Sequence, residues 1–168
     1  MSGGATSWSF REDDAQRLQV ILTRFLRDAS ARTALIVDRT GQLVATVGEA
    51  PVFDPTAFAS LTAADFSAND QLARMLGEPE FGALFHQGER ESMYLADIAR
   101  RVILVVLFDN RTTLGLVKLR VRGAVLVLSA LFTAMFARDA AGDRGVAMGP
   151  GFADAAEDEI DRLFGERG

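Results

Sequence analysis

No cysteine occurs in the 168 residues, so disulfides and thiolate nucleophiles are excluded. Histidine occurs once, at His86, which leaves one possible base for any histidine-activated nucleophile and no histidine cluster for a metal. His86 lies in Phe85-His-Gln-Gly88 and reads as a half-exposed strand residue near a turn. Lysine also occurs once, so 17 of the 18 basic residues are arginine, a bias of the kind a GC-rich genome produces. There is no Walker-type phosphate loop, no dinucleotide fingerprint and no calcium-hand loop. Positive charge is in short supply: a formal charge of -5 and a pI near 4.9 argue against nonspecific nucleic-acid binding, which needs a basic face. Long hydrophobic runs are scarce too. The most apolar helical stretch, Gly123 to Phe136, is uncharged for 14 residues between Arg122 and Arg138, short of the roughly 20 that span a bilayer. Met1 to Ser9 lack the basic start and apolar run of a signal peptide. These absences lead us to expect a cytoplasmic protein with no membrane insertion, no cofactor, no metal and no catalytic residue of its own.

What is present is a chain 49% hydrophobic, enough for one domain with a real core. Phe10 to Ser30 places Leu18, Ile21, Leu22, Phe25, Leu26 and Ala29 on one helical face, with Arg17, Arg24 and Arg27 off it. Thr33 to Gly48 reads as a hairpin, Ala34–Val37 and Leu43–Val47, joined by a turn from Asp38 to Gly41 in which Gly41 is free to take positive φ. Asp54-Pro55 starts a second helix, an N-cap residue followed by proline in the first turn, and Gly77 ends it. Strands are expected at Phe81–Gln87 and Glu91–Ile98 around a Gly88-Glu-Arg turn, and at Arg101–Phe108. The last is almost continuous Val, Ile and Leu, the composition of a strand with helices on both sides. After the loop Asp109 to Thr112, where Asn110 or Thr112 could cap, a long stripe from Leu114 to Met135 predicts a third helix. The order is α-ββ-α-βββ-α. We therefore divide the chain into an N-terminal stretch 1–9, a domain 10–138, a glycine-rich linker 139–151 and an acidic amphipathic tail 152–168.

The second helix carries two faces. Phe58, Leu61, Ala68, Leu72 and Met75 form an apolar one, the expected core face. Nearly opposite lie Ser60, Ala63, Ser67, Asp70 and Arg74, a face whose middle is small and uncharged where a solvated helix normally shows long charged side chains. Either another part of the chain covers it, or a second copy or partner docks there. Phe66 lies beside it and would be an exposed aromatic in a monomer, which favours self-association. The tail also divides two ways. It is a solubilising acidic segment, or a helix-in-groove motif anchored by Phe152, Ile160, Leu163 and Phe164; the spacing of those four favours the motif.

Several strings resemble one family. Leu35-Ile-Val-Asp-Arg-Thr-Gly-Gln-Leu43, Leu61-Thr-Ala63, Phe85-His-Gln-Gly88 and above all Phe108-Asp-Asn-Arg-Thr-Thr-Leu-Gly-Leu-Val-Lys-Leu-Arg120, with a terminal Asp158-Glu-Ile-Asp-Arg-Leu-Phe164, resemble roadblock (dynein-light-chain-like) regulators of the MglB type. The resemblance implies an α+β, profilin-like three-layer α/β/α domain: a five-stranded antiparallel-type sheet with the first and third helices on one face and the second on the other. It implies a homodimer joined through the third strand and the paired second helices, with Phe66, Phe81, Leu84 and Phe85 at the interface. It further implies a Ras-like small GTPase (MglA-like) as partner, docking at Ser60, Ala63, Ser67 and Asp70, in cell polarity or motility control, with room for concentration at a cell pole. Tail residues Asp158, Glu159, Ile160, Leu163 and Phe164 would add contacts to that partner.

Many GTPase activators insert an arginine finger, and Arg39, Arg90 and Arg111 stand in turns or loops where one would be sought. The MglB resemblance implies instead that the partner's own catalytic residues are repositioned, so no catalytic residue is assigned to this chain. The alternative is a roadblock scaffold that binds a GTPase or polarity protein without changing its turnover.

Overall fold

The computed structural model describes residues 10–143. Helix α1 spans Glu12–Ala29, with Glu12, Asp13 and Asp14 in its first turn, where acidic groups favour the positive end of the helix dipole. Its buried face is the expected one: Leu18, Ile21, Leu22, Phe25, Leu26 and Ala29. Strands β1 (Thr33–Asp38) and β2 (Leu43–Gly48) form the hairpin, and Gly41 turns it at φ +97°. Helix α2 spans Pro55–Met75, and the Asp54 carboxylate accepts the Thr56 N–H at 3.1 Å. Then come β3 (Ala83–Gln87), β4 (Ser92–Ile98), β5 (Val102–Phe108) and helix α3 (Leu114–Asp143).

The five strands lie in the order β2-β1-β5-β4-β3, every neighbouring pair antiparallel. β5 is therefore central, and Val102 to Val106 are fully buried along it. Because side chains alternate across a strand, Leu104 and Val106 face one side with Ile36, while Ile103 and Val105 face the other with Val37. Helices α1 and α3 close the first side, and α2 closes the second. This is the three-layer α/β/α arrangement that the sequence led us to expect.

Three boundaries differ. The N-cap of α3 is Thr113, whose Oγ1 accepts the Leu116 N–H at 3.2 Å, in place of Asn110 or Thr112. The helix continues five residues past Arg138, because Ala140 and Ala141 propagate it through the stretch read as linker. Arg138 helps to hold that end, donating to both carboxylate oxygens of buried Asp14 in α1, at 3.3 and 2.8 Å. Thus extended, α3 is long and apolar enough to cross a membrane by length and composition; its stripe Val117, Val121, Leu128, Leu131, Phe132 and Met135 is instead committed to the core. The third strand begins at Ala83, leaving Phe81 before it.

The β4–β5 hairpin holds a local strain. Its two turn residues, Ala99 and Arg100, both sit at positive φ (53° and 59°), the pairing that ordinarily selects Asn-Gly. An L-residue in that region costs about 1–2 kcal/mol. Arg100→Gly should therefore raise the unfolding free energy by about 1 kcal/mol in urea titration with an unchanged m value.

Candidate functional site

Helix α2 turns its small residues inward. Ala59, Thr62, Ala63, Phe66, Asn69 and Ala73 face the sheet, where Leu35, Val37, Leu95, Ile103 and Val105 supply the bulk. Small side chains let the helix lie close to large strand residues, and Phe66, 0% exposed, fills the centre. Two expectations are corrected here. Ala63 belongs to the sheet-facing side and not to an outer docking face. Phe66 is a core residue of the single chain, so it is neither an exposed aromatic nor a dimer contact. Of the apolar stripe expected to be core, Phe58 alone packs against the sheet-side cluster; Leu61, Leu72 and Met75 are 71%, 55% and 82% exposed, and Ala68 is exposed with them.

Three contacts orient the outer surface. On one flank Asp65 meets His86 of β3, Oδ2 to Nε2 at 2.6 Å. By helical geometry Leu61, Ala68 and Leu72 share that flank, toward the β3 edge. On the opposite flank the Ser60 hydroxyl lies 3.5 Å from the Gly41 carbonyl, and Asp70 accepts from Arg39 Nη1 at 2.5 Å. Ser60 and Ser67 are exposed on this side, toward the β1–β2 turn, and Asp70 is half-buried. Thus Ser60, Ser67 and Asp70 remain one small, polar surface, while Ala63 beneath them packs inward.

Arg39 ties this flank together. It also donates to Asp97, and its guanidinium lies 4.7 Å above the Phe66 ring. Burial works to lower its pKa, but the bonds to Asp97 and Asp70 outweigh that and hold it charged. Arg111 is engaged as well: it donates to Asp109 at 3.0 Å and to Glu49 at 3.0 Å. The Arg32 and Arg111 bonds hold the Glu49 carboxyl below its ordinary range, and Arg111 does the same for Asp109. Neither Arg39 nor Arg111 projects as a finger. Arg90 is exposed in the β3–β4 turn.

β3 is a terminal strand of the sheet, and its outer edge presents unpaired backbone groups, a template for another strand. Leu84 is half-buried against the α2 side, and Phe85 stacks on Phe108 on the other side, ring centroids 6.1 Å apart. Phe81, 40% exposed, stands just before the strand. Of the residues expected at a dimer interface, Phe81, Leu84 and Phe85 are therefore grouped at this edge, and Phe66 is removed from it. Sequence reasoning missed Leu61, Leu72, Met75 and Leu76 as surface residues; the signal was the small middle of the opposite face, which suits close packing on a sheet of large residues. Asp158, Glu159, Ile160, Leu163 and Phe164 lie outside the described residues.

Comparison with known proteins gives a consistent picture. The Roadblock/LC7 domain family matches residues 17–108. Among solved structures, MglB of Myxococcus xanthus is 41% identical, covering 70% of this chain and 96% of its own, with a TM-score of 0.68. The gliding protein MglB of Thermus thermophilus is 32% identical, covering 76% and 96%, with a TM-score of 0.70. Profilin II of Acanthamoeba castellanii, at 15% identity and a TM-score of 0.51, shares the fold alone. No match is found among curated protein sequences. With the family matching more than half of the chain and the MglB structures covered almost end to end, this chain belongs to the roadblock family and is of the MglB type.

Proposed function

We propose that the protein is a homodimeric regulator that binds a small Ras-like GTPase of the MglA kind in its GTP form and stimulates hydrolysis. It does so by shifting the GTPase's own catalytic residues into place, in polarity or motility control in the cytoplasm. The observation that carries this reading is the 41% identity to an MglB over 70% of the chain. The outer side of α2 supports it, since the small polar flank at Ser60 and Ser67 admits close approach by a partner's switch segment. The engagement of Arg39 and Arg111 in ion pairs favours activation without an inserted arginine. Activation is then a population shift, driven by tighter binding to the hydrolysis-competent state of the GTPase.

The test is single-turnover GTP hydrolysis by the cognate GTPase, with and without the full-length protein. Stimulation is expected, and Ser67→Arg should reduce it at least about tenfold, the effect of roughly 1.4 kcal/mol of lost binding. Because Ser67 is exposed, the variant's thermal melting should match that of the parent. Binding to the GTP-loaded form without stimulation would defeat the activator reading and leave a roadblock scaffold.

A further inference from the structure

On the opposite side of the sheet from α2, helices α1 and α3 leave a groove of about 490 Å³ between them. Ile21, Phe25 and Val127 form its apolar wall, and Leu119 and Leu126, 57% and 65% exposed, stand on its rim. Gly123 opens the middle: a Cβ placed there would meet nothing within 4 Å. A glycine in mid-helix costs about 1 kcal/mol relative to alanine, so this notch carries a stability penalty. Charge around the groove is lopsided, with Arg24, Arg120 and Arg122 against Asp28. Arg120 Nε is buried there without a hydrogen-bond acceptor among the described residues.

We propose that this groove is the seat of the chain's own C-terminal segment, residues 152–164. That segment supplies Phe152, Ile160, Leu163 and Phe164 as apolar anchors, and Asp154, Glu157, Asp158, Glu159 and Asp161 as partners for Arg120 and Arg122, with Arg162 its only basic residue. The lengths agree. From Asp143 back to Val127 is 16 residues of helix, ~24 Å. The eight residues 144–151 reach ~28 Å when extended, enough to bring Phe152 level with Val127. At helical rise 152–164 then covers ~18 Å, longer than the ~12 Å between Val127 and Leu119. Tethering through so short a connection gives a millimolar-range effective concentration, so even a weak intrinsic affinity keeps the segment seated. Seated on α1 and α3, the acidic motif is withheld from any partner bound on the α2 side. The inference itself does not depend on that partner being a GTPase.

The absence of cysteine makes the test clean. Ala155→Cys in the full-length chain gives a single site for a nitroxide label, and paramagnetic broadening of amide signals reports what the tail lies against. The amides of Leu119, Gly123 and Leu126 should lose more than half of their intensity, and those on the outer face of α2 should not. Gly123→Leu, at a position where a Cβ meets nothing within 4 Å, should fill the notch and restore the groove signals, with the fold retained by circular dichroism. Arg120→Glu combined with Arg122→Glu should restore them as well. No broadening at the groove, or broadening on α2 instead, would overturn the proposal. So would broadening that disappears when labelled protein is diluted into unlabelled, which would assign the seat to another copy's tail. Groove amides that respond only to phosphatidylserine vesicles would overturn it in favour of a lipid surface.

Discussion

Phe66→Ala should destabilise the folded chain by about 3–5 kcal/mol, the range for emptying an aromatic site in a packed core. For a chain of this size that lowers the melting midpoint by about 6–20 °C. The position is demanding for two reasons. Phe66 is fully buried between α2 and the strand residues Leu35, Leu95, Ile103 and Val105, and its ring face also carries the Arg39 guanidinium. Removing the ring leaves Arg39, already bridging Asp70 and Asp97, with an unfilled space beneath it. Ala63→Arg acts on the same inner face by the opposite route. Ala63 is 6% exposed, so a long charged side chain there must either break the helix–sheet contact or bury an unpaired charge. Differential scanning calorimetry of both variants beside Ser67→Arg makes the comparison. Melting near the parental midpoint for Phe66→Ala would show that α2 does not pack as described, and the assignment of inner and outer faces would fall with it.

The two faces of α2 show where the sequence is legible and where it is not. The α1 face could be read at once, because its apolar stripe is single and its other side is charged. β5 could be read because an unbroken Val, Ile and Leu run has one structural meaning when helices lie before and after it. In α2 the rule that large apolar residues mark the core inverts. The strand residues beneath are already large, so the volume between helix and sheet is filled from below, and the helix contributes Ala59, Ala63 and Ala73. Leu61, Leu72 and Met75 are then free to lie outside. A helical wheel gives the angle between two faces and not which of them meets the sheet. Arg39 was hidden for a different reason: its partners Asp70 and Asp97 are 31 and 58 residues away, and no local pattern links them. The same holds for the α1–α3 groove, whose arginines come from two helices about a hundred residues apart. The strings that resemble MglB proteins, in contrast, were local and legible, and they pointed to the fold.

Placing arginine at both Leu61 and Leu72 should take the proposed homodimer to monomer, raising its Kd at least about 100-fold, equivalent to some 2.7 kcal/mol. Four large apolar side chains, Leu61, Leu72, Met75 and Leu76, stand exposed on or just beyond α2. Each would contribute about 1–2 kcal/mol if withdrawn from water. The flank bearing Leu61 and Leu72 is turned toward β3, the strand with the unpaired outer edge. A two-fold axis beside that edge would pair β3 with its copy and set the two α2 helices against each other in one continuous interface. An isologous interface of this kind presents every substitution to itself, so two arginines per chain become four charges forced together. Repulsion and the desolvation of unpaired guanidinium groups both oppose association. The folded chain tolerates the change, because both leucines are more than half exposed. Sedimentation equilibrium across a concentration series reads the outcome, with Val20→Arg on the exposed side of α1 as the control that should leave the mass unchanged. An unaltered dimer in the double variant would move the interface off α2; and if Val20→Arg dissociated the dimer instead, the α1–α3 side would be the true contact and the groove there would have no space for the tail.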